Sequence, residues 1–118
     1  MLEKSKIETY LGFCIRAGRI VFGVEMLDRK KKGVYLMLID EALGKSSLKA
    51  VLLAKERLDC PLLSCKAGAL GALLHRPAVK VAAITDKNLA EAILSVVGGD
   101  AQFKFISGGN DKTYGKEI

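Results

Sequence analysis

Val34-Tyr-Leu-Met-Leu-Ile39 is apolar at every position. A strand with one wet face alternates, whereas an unbroken apolar run fits a strand buried on both faces. Val79 to Ile84 reads as a second such strand. Leu62 to Ser64 reads as a third, shorter one behind Pro61, which forbids continuation of the helix before it. Helical periodicity fills the intervals. Ser46 or Ser47 caps a helix whose Leu48, Val51, Leu52 and Leu58 share a face, running to about Asp59. Lys66 to Leu74 is helical despite Gly68 and Gly71, because Leu70, Leu73 and Leu74 lie on one side. Thr85 or Asp86 caps a helix carrying Leu89, Ile93, Val96 and Val97, which Gly98 and Gly99 end. Ahead of the first strand, Ser5-Lys-Ile-Glu8 has the form of a capping box, and Ile7, Leu11, Cys14 and Ile15 recur at helical spacing up to Gly18. Arg19 to Phe22 is a short β-prone run, and Val24 to Lys32 a short helix stopped by Gly33. Regular alternation of helix and strand predicts an α/β domain, a sheet with helices on both faces in a three-layer α-β-α sandwich.

The chain has 118 residues, half of them apolar and 27% charged, which suits one globular domain with a core of its own. Its longest aliphatic-aromatic run falls far short of the roughly 18 residues a membrane span needs. The mixed-charge start, Met1-Leu-Glu-Lys-Ser-Lys6, shows no secretory signal, so a soluble cytoplasmic protein is expected. Residues 1–99 read as the single domain. Residues 100–118 read as a basic, partly disordered tail in which Phe103, Phe105 and Ile106 could add an edge strand or pack on the sandwich, with loop or disorder from Ser107 onward.

Little here suggests catalysis. His75 is the one histidine, on a loop beside Arg76, and nothing in the sequence connects it to a cysteine or a carboxylate. Cys14, Cys60 and Cys65 fit no zinc spacing and read as buried, inert thiols. Asp40 and Glu41 follow a buried strand, where α/β enzymes place functional acids, but they read as loop carboxylates capping the next turn. The expectation is a protein that is not an enzyme, with no cofactor and no metal.

Charge says more. The net charge is +6, and residues 1–33 carry eight basic side chains against four acidic ones. A localised positive field attracts phosphate, which makes nucleic acid a natural partner. Gly23 stands at a strand-to-helix turn, where free backbone N–H groups form a ready anion site and a polynucleotide backbone can approach closely. Glu25 and Arg29 lie four apart on one helical face, as an exposed salt bridge or as a base-edge acceptor and a phosphate or guanine donor. Seven aromatic residues, none paired on a strand, argue against a base-stacking sheet.

Leu11-Gly-Phe-Cys-Ile-Arg-Ala-Gly18 followed by Arg19-Ile-Val-Phe-Gly23, a short basic helix and a buried strand resembles the ribosomal L-seven-Ae family and its L-thirty-e siblings, especially the small bacterial members. The likeness continues through Ala50-Val-Leu-Leu-Ala54, Leu70-Gly71 and Val81-Ala-Ala-Ile-Thr-Asp86, over roughly residues 5–97. It implies a mixed sheet of about four strands and a domain that binds structured RNA, typically a kink-turn or ribosomal RNA, with possible attachment to the ribosome. The implied contacts are Gly23, Val24, Glu25, Met26 and Arg29 at the second helix start. Leu74, His75, Arg76, Pro77 and Ala78 would form a loop over flipped-out nucleotides, with phosphate contacts from Arg19 and Lys30, Lys31 and Lys32. Archaeal relatives carry Asn-Glu where this chain has Glu25 and Met26, so the acid stands one position early, about 100° around the helix. Arg29 stands where a lysine is usual. The alternative is a protein-protein interaction module on the same fold, with Met26 and the apolar part of the 74–78 loop in its contact surface.

Overall fold

A computed structural model describes residues 6–106; Ser5 of the capping box and the 107–118 part of the tail lie outside the described residues. Ile7, Leu11 and Cys14 are all buried, so one stripe of α1 (Lys6–Ala17) faces inward. The chain then turns into β1 (Ile20–Phe22) and α2 (Val24–Arg29), followed by β2 (Leu36–Asp40), α3 (Lys45–Leu58), β3 (Leu62–Cys65), α4 (Ala69–Leu74), β4 (Val81–Ile84), α5 (Lys87–Val97) and β5 (Phe103–Ile106). This is an α/β fold.

The strands form one mixed sheet in the order β1-β4-β2-β3-β5. β2 and β3 are parallel, and the other three pairings are antiparallel. Among the described residues the sheet has five strands rather than about four, and it continues past residue 99, the domain boundary expected from sequence. β5 lies antiparallel to β3 with Phe103 opposite Cys65 and Ile106 opposite Leu62. Of the two roles expected for Phe103, Phe105 and Ile106, the edge strand is the one found, although only Phe103 is buried and the pattern does not alternate.

Every residue of β2, β3 and β4 is buried, as their apolar runs require. Alternate side chains go to opposite faces. Leu36, Leu38, Leu63, Ala82 and Ile84 pack with buried residues of α1, α4 and α5. Met37, Ile39, Leu62, Val81 and Ala83 pack with Leu27 of α2 and with Val51 and Ala54 of α3. Tyr35, expected inside the strand that is β2, lies before it and is exposed. None of the described helices is long and apolar enough to cross a membrane.

Several element ends differ from expectation, each for a local reason. α2 stops at Arg29 instead of Lys32, and the Arg57 guanidinium donates to the carbonyl oxygens of Leu27 at 3.3 Å and Lys30 at 3.2 Å. This satisfies the last carbonyls of a very short helix, and Lys30 leaves in extended conformation. α3 is capped by Gly44, which places Ser46 and Ser47 inside its first turn. Asp86 does cap α5, its side chain accepting from the Leu89 N–H at 2.9 Å.

Asp40 joins two of the turns. Its carboxylate is buried; Oδ1 accepts from the Ala42 N–H and Oδ2 from the Gly68 N–H, both at 2.7 Å. The first bond closes the turn after β2. The second reaches the residue that starts α4, and Gly68 at φ +82° delays that helix to Ala69 instead of Lys66. Asp40→Ala strands both N–H groups and is expected to cost about 3 kcal/mol, with Asp40→Asn, which keeps one acceptor, losing less. Urea unfolding measures this, and a loss under about 1 kcal/mol would remove the clasp from the account.

Candidate functional site

β1 and β4 run antiparallel, with Ile20 opposite Ile84 and Phe22 opposite Ala82. Beyond that register the Gly23 N–H donates to the Val81 carbonyl at 2.9 Å. The turn into α2 is thus tied to the start of β4, and with it to the loop that feeds β4. The Gly23 turn and the loop carrying Arg76, some fifty residues apart in sequence, are placed at the same end of this strand pair, with Arg76 over Phe22.

Gly23 has φ +89° and ψ 155°, a region open in practice to glycine alone, and a Cβ there would meet nothing within 4 Å. What demands glycine is therefore backbone conformation rather than lack of room. Gly23→Asp would strain the turn before any ligand arrived, so side-chain variants test this site better. With only six residues α2 has little macrodipole.

Glu25, Met26 and Arg29 are exposed. Among the described residues Glu25 and Arg29 form no ion pair; the Arg29 guanidinium lies 4.0 Å from the Met26 sulfur instead. The helical salt bridge is not made, which leaves both charged groups facing solvent.

The loop is held from three sides. α4 ends with the Arg76 N–H on the Gly71 carbonyl and the His75 N–H on the Ala72 carbonyl, His75 taking the left-handed place (φ +58°) where glycine is usual. The His75 ring reaches back to α1, with Nε2 2.8 Å from Glu8 Oε2. The Arg76 guanidinium stacks over Phe22 of β1 at 5.0 Å from the ring centroid. Gly71 sets the spacing: a Cβ on it would stand 2.9 Å from the Pro77 carbonyl oxygen and 3.0 Å from that of Arg76.

Other expected contacts lie elsewhere. Leu74 is the last residue of α4 and is buried in the core, so its side chain has no surface to offer. Arg19 sits at the far end of β1, where its carbonyl accepts from the Thr85 N–H, roughly 13 Å along the strand from Gly23. Lys30 is held by Arg57 in the last turn of α3, the end from which the chain enters β3, and Lys31 and Lys32 follow it. Gly23 and the loop carrying Arg76 therefore lie toward one end of the β1–β4 pair, Arg19 lies at its other end, and Lys30–Lys32 follow α2.

Glu8, Phe22 and Arg57 escaped the sequence reading, since nothing linear connects Glu8 to His75 or Arg57 to Leu27. A glycine inside the apolar α4 pattern is the one signal that pointed to a close approach.

Cys14, Cys60 and Cys65 are free and buried, as expected. Burial raises the thiol pKa values of Cys14 and Cys60 to about 11. Burial, with the charges of Asp40 and Asp100, raises that of Cys65 to about 12. Among the described residues no group of three or more His, Cys, Asp or Glu side chains could hold a metal ion.

No family model matches the chain, and no curated protein does. Solved structures do match. One is a protein of unknown function from Bacillus halodurans, at a TM-score of 0.67 and 17% identity over 80% of this chain and 99% of that one. At this identity the likeness shows a shared fold alone, and a fold can carry many functions.

Gly71→Ala is expected to cost about 1–3 kcal/mol, since the crowding atoms are backbone and only a loop shift relieves them; urea unfolding and amide shifts of residues 75–78 read both effects, and an unchanged loop would disprove the close approach. The thiols give a second check. Because their folded pKa values lie above the ordinary 9.0, they stay protonated as pH rises through 9 while unfolded thiols ionise. Stability contributed by that difference is complete below pH 9 and is lost between 9 and about 11 to 12. At pH 8 a thiol reagent should label all three only after unfolding, and prompt labelling of the native protein would contradict their burial.

Proposed function

We propose that this chain belongs to the L-seven-Ae and L-thirty-e superfamily, with its mixed sheet sandwiched between two helical layers, and that it binds structured RNA without catalysing a reaction. The observation that carries the reading is the bond from the Gly23 N–H to the Val81 carbonyl. It brings a turn open to a close backbone approach against a loop presenting a stacked guanidinium. Both parts are needed to hold a bent RNA: one meets the backbone and base edges, the other takes splayed nucleotides. The net charge of +6 suits such a partner.

Roles follow from exposure. Arg29 and Glu25, unpaired with one another, are free to meet base edges or phosphates. Arg76 keeps one guanidinium face on Phe22 and offers the other to a base. Pro77 and Ala78 present a small apolar surface beside it. Arg19 and Lys30–Lys32, displaced from this centre, would meet phosphates at the margin of a longer RNA. In the cytoplasm ribosomal RNA supplies the folded targets this reading calls for.

The test is a titration with a kink-turn RNA and with the same RNA after its G·A pairs are changed, at two salt concentrations. Arg29→Ala and Arg76→Ala are each expected to weaken binding to the intact RNA by about 1–3 kcal/mol. Lys31→Ala should mainly flatten the salt dependence. Preference for the intact RNA would establish kink-turn recognition, whereas equal, salt-sensitive binding to both would reduce the function to a basic surface for folded RNA. Absence of binding to either overturns the proposal. A co-purifying protein that survives nuclease would then favour the interaction-module reading, in which the exposed Met26 serves as an apolar contact.

A further inference from the structure

At the other edge of the sheet, away from Gly23 and Arg76, an open cleft runs between the start of α3 and strand β5. It has two lobes of about 140 and 170 Å³ that share Glu41, Ser64 and Lys104. Each is below the size of a drug-like pocket and far larger than the space one water takes, so only a small ligand fits. The place is a natural one, outside the carboxyl ends of the parallel pair β2 and β3.

Ser64 on the floor is the unusual group. It is 4% exposed, and among the described residues its hydroxyl has no hydrogen-bond partner. Neighbouring strand positions Leu63 and Cys65 face the opposite cluster, so Ser64 points to the side that Leu62 shares, into the cleft. Burying a hydroxyl without a partner is costly, which gives any polar ligand that meets it an advantage.

The walls carry unspent charge of both signs. Glu41, Lys66 and Lys104 are exposed, and among the described residues none of them forms an ion pair. Asp40 does not compete, because both its oxygens are already bonded to backbone N–H groups. Leu48 and Ile106 supply an apolar side to one lobe. A simple anion would be repelled by Glu41, and a simple cation by the lysines.

We propose that this cleft binds a small zwitterion, a free α-amino acid with an aliphatic side chain. Its carboxylate meets Lys104 and Lys66, its ammonium meets Glu41, Ser64 bonds the polar end, and the side chain lies against Leu48 and Ile106. The proposal is independent of RNA binding.

The full chain is titrated with L-leucine and followed by amide NMR, with 4-methylpentanoate and isoamylamine as analogues lacking one charge each. Saturable shifts centred on Glu41, Ser64 and Lys104 are expected, with each analogue weaker by about tenfold or more. Ser64→Ala removes a partnerless hydroxyl, so its melting temperature should stay unchanged or rise while leucine affinity drops severalfold. Three results overturn the proposal: no saturable shift at millimolar leucine, an analogue that binds as well, or a Ser64→Ala protein that binds leucine unchanged.

Discussion

β4 has two neighbours in the sheet, and both run against it. Its pairing with β1 brings the Gly23 turn to the loop that precedes it. Its pairing with β2 lets the Asp40 N–H reach the Lys80 carbonyl, which fixes the other side of that loop's exit. A parallel β4 would carry the loop to the opposite end of the sheet, leaving Gly23 with no partner surface. Four short residues, three of them Val, Ala and Ala, do this work because small side chains let helices close over both faces.

Around that strand the molecule relies on backbone groups satisfied by distant side chains. Asp40 clasps two turns, and Arg57, from the last turn of α3, finishes α2 by donating to the Leu27 and Lys30 carbonyls. His75 and Arg76 are each anchored on a different element. The loop is consequently arranged before any ligand arrives, and an arranged loop loses less conformational freedom on binding.

The fold was legible where burial on both faces forces a sequence to be apolar throughout, as in β2, β3 and β4. It was also legible where periodicity and glycine agree, as in α1 up to Gly18. β5 was harder, since an edge strand with one buried residue looks like a tail. The end of α2 depends on Arg57, 27 residues beyond Lys30, and no local rule contains that contact. At the candidate site the sequence named two separate stretches but not how the fold arranges them. Arg19 and Gly23 are close along the chain, yet the short strand between them puts them at opposite ends of β1. Leu74 was assigned to the helix by its spacing and to the contact loop only by the family resemblance, and the structure follows the spacing. The cleft at Ser64 left no trace, because a serine in a short strand gives no hint that its hydroxyl will be buried.

The β1 pairing also governs when the surface can exist. β2, α3 and β3 are consecutive and can assemble from neighbouring chain, but among the described residues β1 pairs in the sheet only with β4, some sixty residues later. A chain growing from its amino end carries Gly23 and Arg29 long before it carries His75 and Arg76. The two halves of the surface therefore come together only after the middle of the sheet has been made, as one of the last and least local steps of folding.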